Sequence, residues 1–167
     1  MTTLAYRRPQ ERGFTLVEIL IVVAIIGILA SVALIGLGPV QKRGRDSRRI
    51  SDLRETQSAI ELYYSKCGYY PGSPAGAGAG GCQSTWSQQN GWDNLTNALK
   101  NSDIGITRVP VDPSANKHYD YASSNGSSYV VSATLEDTNN SVLKDDIDGT
   151  GVEGSIDCTD PVYCVQL

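Results

Sequence analysis

The sequence predicts an α+β fold in which one long N-terminal helix, apolar over its first half and amphipathic over its second, packs on a small antiparallel sheet. Three observations lead there. No charged residue occurs from Ile19 to Val40, a stripe at helical spacing follows it, and two strand-like runs flank a Ser124-Asn125-Gly126 turn near the C-terminus. The 167 residues suffice for one domain and are short for two. Charge is as uneven as apolarity: the net charge is −4, yet from Gly68 onward 4 Lys and Arg stand against 12 Asp and Glu, a balance of −8. Such a region repels phosphate, which argues against nucleic-acid binding driven by charge neutralisation.

The first element is the run from Phe14 to Leu37, 24 residues. At about 1.5 Å per helical residue it spans a hydrocarbon core of about 30 Å, so the simplest reading is a membrane helix. It exceeds the apolar centre of about 7–15 residues found in an ordinary secretory signal. Arg7, Arg8 and Arg12 precede it and Lys42, Arg43, Arg45, Arg48 and Arg49 follow, so charge gives no orientation. The one ionisable residue inside is Glu18. A carboxylate there is either a helix-start acid favoured by the dipole at headgroup level or a functional group in need of a positive partner.

Beyond Pro39, the residues Ile50, Leu53, Ile60 and Tyr64, with Gln57 on the same row, form one stripe of a 3.6-residue period. The spacing predicts one long helix, kinked or loosened between Gly36 and Gly44, whose outer half packs on a sheet. Arg48 with Asp52, and Arg45 and Arg49 on either side of Asp46, are expected on the opposite, solvent-facing surface as i,i+3 and i,i+4 pairs. The basic cluster has three readings, in order: a solvated face near anionic headgroups, a contact with acidic heads of neighbouring subunits, and a DNA-binding strip.

The motif Cys67-Gly68-Tyr69-Tyr70-Pro71-Gly72 ends the helix. The following G-x-G-x-x-G at Gly76, Gly78 and Gly81 comes after a helix and runs into Cys82, which is the wrong setting for a dinucleotide site, and it reads as a flexible loop. Trp86 and Trp92, with Leu95, Leu99 and a short helix over Asp93 to Lys100, are expected to cover the sheet edge rather than to form an exposed sugar-binding pair. His118 to Tyr121 and Ser128 to Glu136 form the hairpin.

The run Arg12-Gly13-Phe14-Thr15-Leu16-Val17-Glu18, followed by an uninterrupted apolar helix, resembles the class III signal of type IV pilins and type II secretion pseudopilins. The helix ending in Glu-Leu-Tyr-Tyr before Gly-Tyr-Tyr-Pro, and the order Val-Pro-Val-Asp-Pro, Tyr-rich strand, second strand ending Leu-Glu, resemble the major pseudopilins more loosely. The resemblance implies a pilin-like lollipop: residues 1–13 as a cleaved leader, 14–66 as the helix (14–40 membrane-spanning and then filament core, 41–66 amphipathic), and 67–167 as the head. It also implies cleavage between Gly13 and Phe14 by a prepilin peptidase that methylates the new Phe14 amine, and a homo-oligomeric filament raised by an inner-membrane platform with a cytoplasmic ATPase. The protein is then expected first as a single-pass inner-membrane protein with its head outside the cytoplasm. Later it stands in a periplasmic pseudopilus or, alternatively, an extracellular type IV pilus for adhesion, motility or DNA uptake. In physical terms, Glu18 of one subunit can neutralise the Phe14 amine of another, setting register between them. The chain departs from the family at Ile35, where Pro is usual; any melting of the helix is displaced toward Gly36 to Pro39. A static membrane-anchored binding module is the rival from another class.

Four cysteines in an exported head suggest two disulfides. Spacing favours Cys67 with Cys82 and Cys158 with Cys164, among three connectivities the sequence allows. Closing the first loop is worth about 3 kcal/mol in the chain-entropy model. A zinc site is disfavoured, because there is no C-x-x-C and only 1 His. The acidic, glycine-rich run Lys144 to Asp157 is not an EF-hand, since aligning Asp146, Asp148 and Gly149 puts Lys144 at the first ligand position and Ser155 at the last. Major pseudopilins carry a calcium site in the loop after these strands, and the resemblance implies Asp146, Asp148, Glu153 and Asp157 as ligands; the alternative is a solvated acidic loop. No other cofactor is implied. His118 lies in a strand without a nucleophile motif, so an enzyme is not expected.

Overall fold

Helix α1 runs from Leu16 to Cys67, 52 residues. The computed structural model describes residues 13–72, 81–82, 91–152 and 156–167, and the side chains of residues 32–36 also lie outside the described set. Where the sequence predicts a kink, α1 continues through Pro39. A proline inside a helix removes one backbone bond, and here that loss does not interrupt the element. At its end Gly68 adopts a left-handed φ of 76° and donates its N–H to the Tyr64 carbonyl at 2.7 Å. Without a Cβ the residue takes this conformation freely, which is the usual way to close a helix.

The chain divides into two compact units, residues 1–40 and 41–167. In the first, each of the large apolar side chains from Phe14 to Leu29 is more than half exposed. Among the described residues no helix is long and apolar enough to cross a membrane. Part of the 24-residue run read as a span, residues 32–36, has side chains outside the described set.

In the second unit, Leu53, Ala59, Ile60 and Tyr63 of α1 share one core with Tyr119, Tyr121, Val131 and Ala133 of the sheet and with Tyr129 beside it. Full burial of an aliphatic side chain such as Leu53 or Ile60 contributes about 1.5–3 kcal/mol. The sequence placed Leu53 and Ile60 on this face correctly, but the face is turned from the predicted stripe. Ile50 and Gln57 are only half-buried and Tyr64 is exposed, whereas Asp46, Arg49, Asp52 and Thr56 are buried. Of the charged residues expected on the solvent side, Asp46, Arg49 and Asp52 thus belong to the interior, where partners described below neutralise them, while Arg45 is half-buried and Arg48 stays exposed; the i,i+3 pair Arg49–Asp46 and the i,i+4 pair Arg48–Asp52 both form.

Three antiparallel strands, β1 (Tyr119–Ala122), β2 (Val130–Thr134) and β3 (Val162–Gln166), lie in that order. Tyr121 pairs with Val131 and Ser132 with Cys164. The β1–β2 hairpin matches the prediction, trimmed at its ends. Strand β3 was missed; its alternation sends Tyr163 and Val165 to the main core and Val162 and Cys164 to a second cluster with Val130 and Cys158. Helix α2 (Gly91–Asn101) buries Trp92, Leu95, Ala98 and Leu99. A Cβ at Gly91 would collide with the Tyr121 carbonyl, so glycine is what lets α2 begin directly on β1. Trp92 lies edge-on to Tyr119 and donates to the Pro110 carbonyl at 3.2 Å, the covering role expected of it. Trp86, Gly76 and Gly78 lie outside the described residues.

Candidate functional site

At the start of α1, Thr15 and Glu18 form a reciprocal pair. The Thr15 hydroxyl accepts from the Glu18 N–H at 3.3 Å, while Glu18 Oε2 accepts from the Thr15 N–H and hydroxyl, both at 2.9 Å. This is a capping box: two backbone donors left over at the helix start are satisfied by two side chains three residues apart. Gly13, Phe14 and Glu18 are all exposed. The carboxylate therefore sits at the surface of its own helix end, in reach of a cation from another molecule.

A second constellation was not foreseen as such. Arg49, with no exposed surface, donates from Nε and Nη2 to both oxygens of Asp112 at 2.7 and 2.9 Å, from Nη1 to Asp46 at 2.7 Å and to Glu136 at 2.9 Å, and from Nη2 to Ser114 at 2.9 Å. Arg45 grips Glu136 bidentately at 2.7 and 2.5 Å. Asp46, equally buried, accepts the backbone N–H groups of Glu136 and Asp137 at 2.9–3.1 Å. A guanidinium forked onto carboxylates is the strongest arrangement these groups offer. The hydrogen bonds from Arg45 hold Glu136 down to about 2, with Arg49 adding to them against burial. Burial alone would raise Asp112, but Arg49 and the Ser114 N–H outweigh it and leave the carboxyl lower than usual. The signal that could have found this cluster is in the chain: Arg49 falls four residues before Leu53, on the face that Leu53 and Ile60 bury.

The cluster also revises the basic strip. Arg43 lies 3.3 Å from Asp137 and Arg48 3.7 Å from Asp52, so four of the five cations between Lys42 and Arg49 face carboxylates of the same chain. Little field remains for a DNA phosphate backbone.

With these sites described, comparison with known proteins bears first on the Gly13 to Glu18 region. The chain carries the prokaryotic N-terminal methylation motif, over residues 8–34. The chain is also similar to three kinds of relative. It is 41% identical over 68 residues to a fimbrial protein of Neisseria meningitidis serogroup B, covering 41% of this chain and 40% of that protein. It is 41% identical over 58 residues to the type IV major pilin protein PilA of Myxococcus xanthus, covering 35% and 26%. It is 36% identical over 70 residues to the type II secretion system core protein G of Klebsiella michiganensis, covering 42% and 49%. The chain thus matches between about a quarter and a half of the length of these relatives. No solved structure matches.

Away from the methylation motif, disulfides join Cys67 to Cys82 and Cys158 to Cys164, the pairs that spacing favours, each with a Cα separation of 5.8 Å. The second bridge holds the acidic loop against β3. There Asp146, Asp148 and Asp160 bring one carboxylate oxygen each within 4.8 Å of one another. Asp146 Oδ2 accepts from the Cys164 N–H at 2.8 Å, while its Oδ1 is buried with no hydrogen-bond partner among the described residues. Burial, together with the charges of Asp148 and Asp160, raises the Asp146 carboxyl above its usual range despite that N–H. Of the predicted ligands, Asp146 and Asp148 belong to this group. Glu153 lies outside the described residues, and Asp157 instead accepts the Thr159 N–H at 2.9 Å within its own turn. Asp160 is the member the sequence did not single out, because it lies beyond Cys158, outside the acidic run from Lys144 to Asp157. His118 is largely exposed, 3.5 Å from Asp120.

Proposed function

We propose that the chain is a structural subunit of a type IV pilus-like filament, with the pseudopilus of a type II secretion system as the first reading and a surface type IV pilus as the second. The observation that carries this is the methylation motif placed at the head of a helix whose large apolar side chains are exposed from Leu16 to Leu29. Such a surface is unstable in water and must be covered, first by lipid and then by the same helix of other subunits. In this account a prepilin peptidase removes residues 1–13 and methylates the Phe14 amine. Glu18 then exchanges its capping partners for that amine on a neighbour, which aligns the two helices before the assembly platform and its ATPase draw them out of the inner membrane. Similarity to fimbrial and pilin proteins as well as to core protein G supports both readings. The chain's role is structural; no residue is assigned to catalysis.

The experiment is a Glu18→Ala variant followed by electron microscopy of filaments. The account expects a processed protein that stays in the membrane and yields few filaments, whereas normal filament yield contradicts the role of Glu18.

The acidic loop is read as a calcium site. Hard oxygen donors on a glycine-bearing loop suit this ion, and the Asp146 oxygen with no partner among the described residues, close to two other carboxylates, is what a cation would relieve. Asp146, Asp148 and Asp160 are the ligands this geometry supports, with Glu153 and Asp157 as the further candidates from the sequence. Calorimetry with Ca²⁺ on the head should show binding and a higher melting temperature. Neither effect appearing would remove the site.

A further inference from the structure

A helix held only by its own backbone bonds unwinds locally at little cost, and tertiary contacts decide where that unwinding stops. Residues 37–44 of α1 are exposed and contain Gly38, Pro39 and Gly44, three of the poorest helix formers in the sequence. The environment changes within one turn. Arg45 is gripped by Glu136, while Asp46 and Arg49 are fully buried and bonded to each other at i,i+3 spacing, to Asp112 and to the chain at residues 136–137. That spacing exists only while residues 45–49 remain helical. Unwinding this turn would leave buried charges without partners, a far larger penalty than the loss of the backbone bonds themselves.

We propose that the Arg45–Asp46–Arg49 ion cluster is a stop that confines local unwinding of α1 to the stretch before residue 45. The glycine and proline residues supply the weak stretch and the cluster supplies its boundary. The head keeps its share of the helix whatever happens upstream. This device goes beyond the filament reading and does not require it, since it is a property of the isolated chain.

Amide hydrogen exchange read by mass spectrometry on the full chain in detergent micelles tests it. The wild type should show fast exchange over residues 36–44 and a step to slow exchange by residue 49. Glu136→Gln, which weakens the cluster and leaves the Arg49–Asp112 pair, should speed exchange over residues 45–52 by about tenfold while residues 56–66 stay protected. Arg54→Met, on the exposed side of the same helix, should leave the step in place. Three results overturn the proposal: no step in the wild type, an unmoved step in Glu136→Gln, or exchange over residues 56–66 of that variant as fast as in an unfolded chain. The last would make the cluster part of the global core rather than a local boundary. Failure of filament assembly in other experiments leaves each of these readouts untouched.

Discussion

Glu136 shows how single residues carry this structure. Its carboxylate receives Arg45 and Arg49, and its own backbone N–H is held by Asp46. Folding therefore binds its ionised form, and the group sits at about 2 against an ordinary value of 4.5. A carboxyl lowered by folding contributes stability above its unfolded value and loses it as pH falls through the folded one. The melting temperature, followed by circular dichroism, should hold steady from neutral pH to about 5 and then drop toward pH 2. In Glu136→Gln that acid-side drop should shrink, and the variant should start from a lower plateau, weaker by about 1–3 kcal/mol. An unchanged acid limb would mean that other carboxylates dominate it.

Among the elements, the helices and the hairpin were legible in the sequence for a plain reason: their periods are set by neighbours along the chain. Leu53 and Ile60 on one face of α1, the Gly68 stop, and the strand pair around Ser124-Asn125-Gly126 all follow from local pattern. What stayed hidden depends on contacts between distant segments. Arg49 and Asp46 look like surface charges until Asp112 and Glu136 arrive from 63 and 87 residues away. Strand β3 is short, follows a turn, and was read for its cysteine rather than for its Val-Tyr-Cys-Val alternation. Asp160 lies just past the acidic run, inside the loop that the Cys158–Cys164 bridge closes, and only the fold brings it to Asp146 and Asp148. Two glycines separate local from distant control. Gly91→Ala forces a methyl onto the Tyr121 carbonyl and should cost about 1–3 kcal/mol. Gly44→Ala, in a helix with open space around it, should stabilise by about 0.5–1 kcal/mol. Urea unfolding of both variants measures the difference, and equal effects would contradict the close packing of α2 on β1.

For the whole molecule, function rests on an asymmetry between its two units. One buries its apolar groups in a core tied by two disulfides and an ion cluster; the other leaves its described large apolar side chains exposed. On the proposed reading a monomer with such a surface is covered by assembly, and the methylation motif at the same end points to the processing that should precede it. The central claim is that this end is cut and modified before use. Intact and N-terminal peptide mass spectrometry of protein recovered from the native membrane and from the sheared surface fraction tests it most directly. The account predicts a chain beginning at Phe14 and carrying one methyl group there, with recovery in the sheared fraction favouring a surface pilus over a pseudopilus. A functional protein that retains residues 1–13 would contradict it and leave a static membrane anchor in its place.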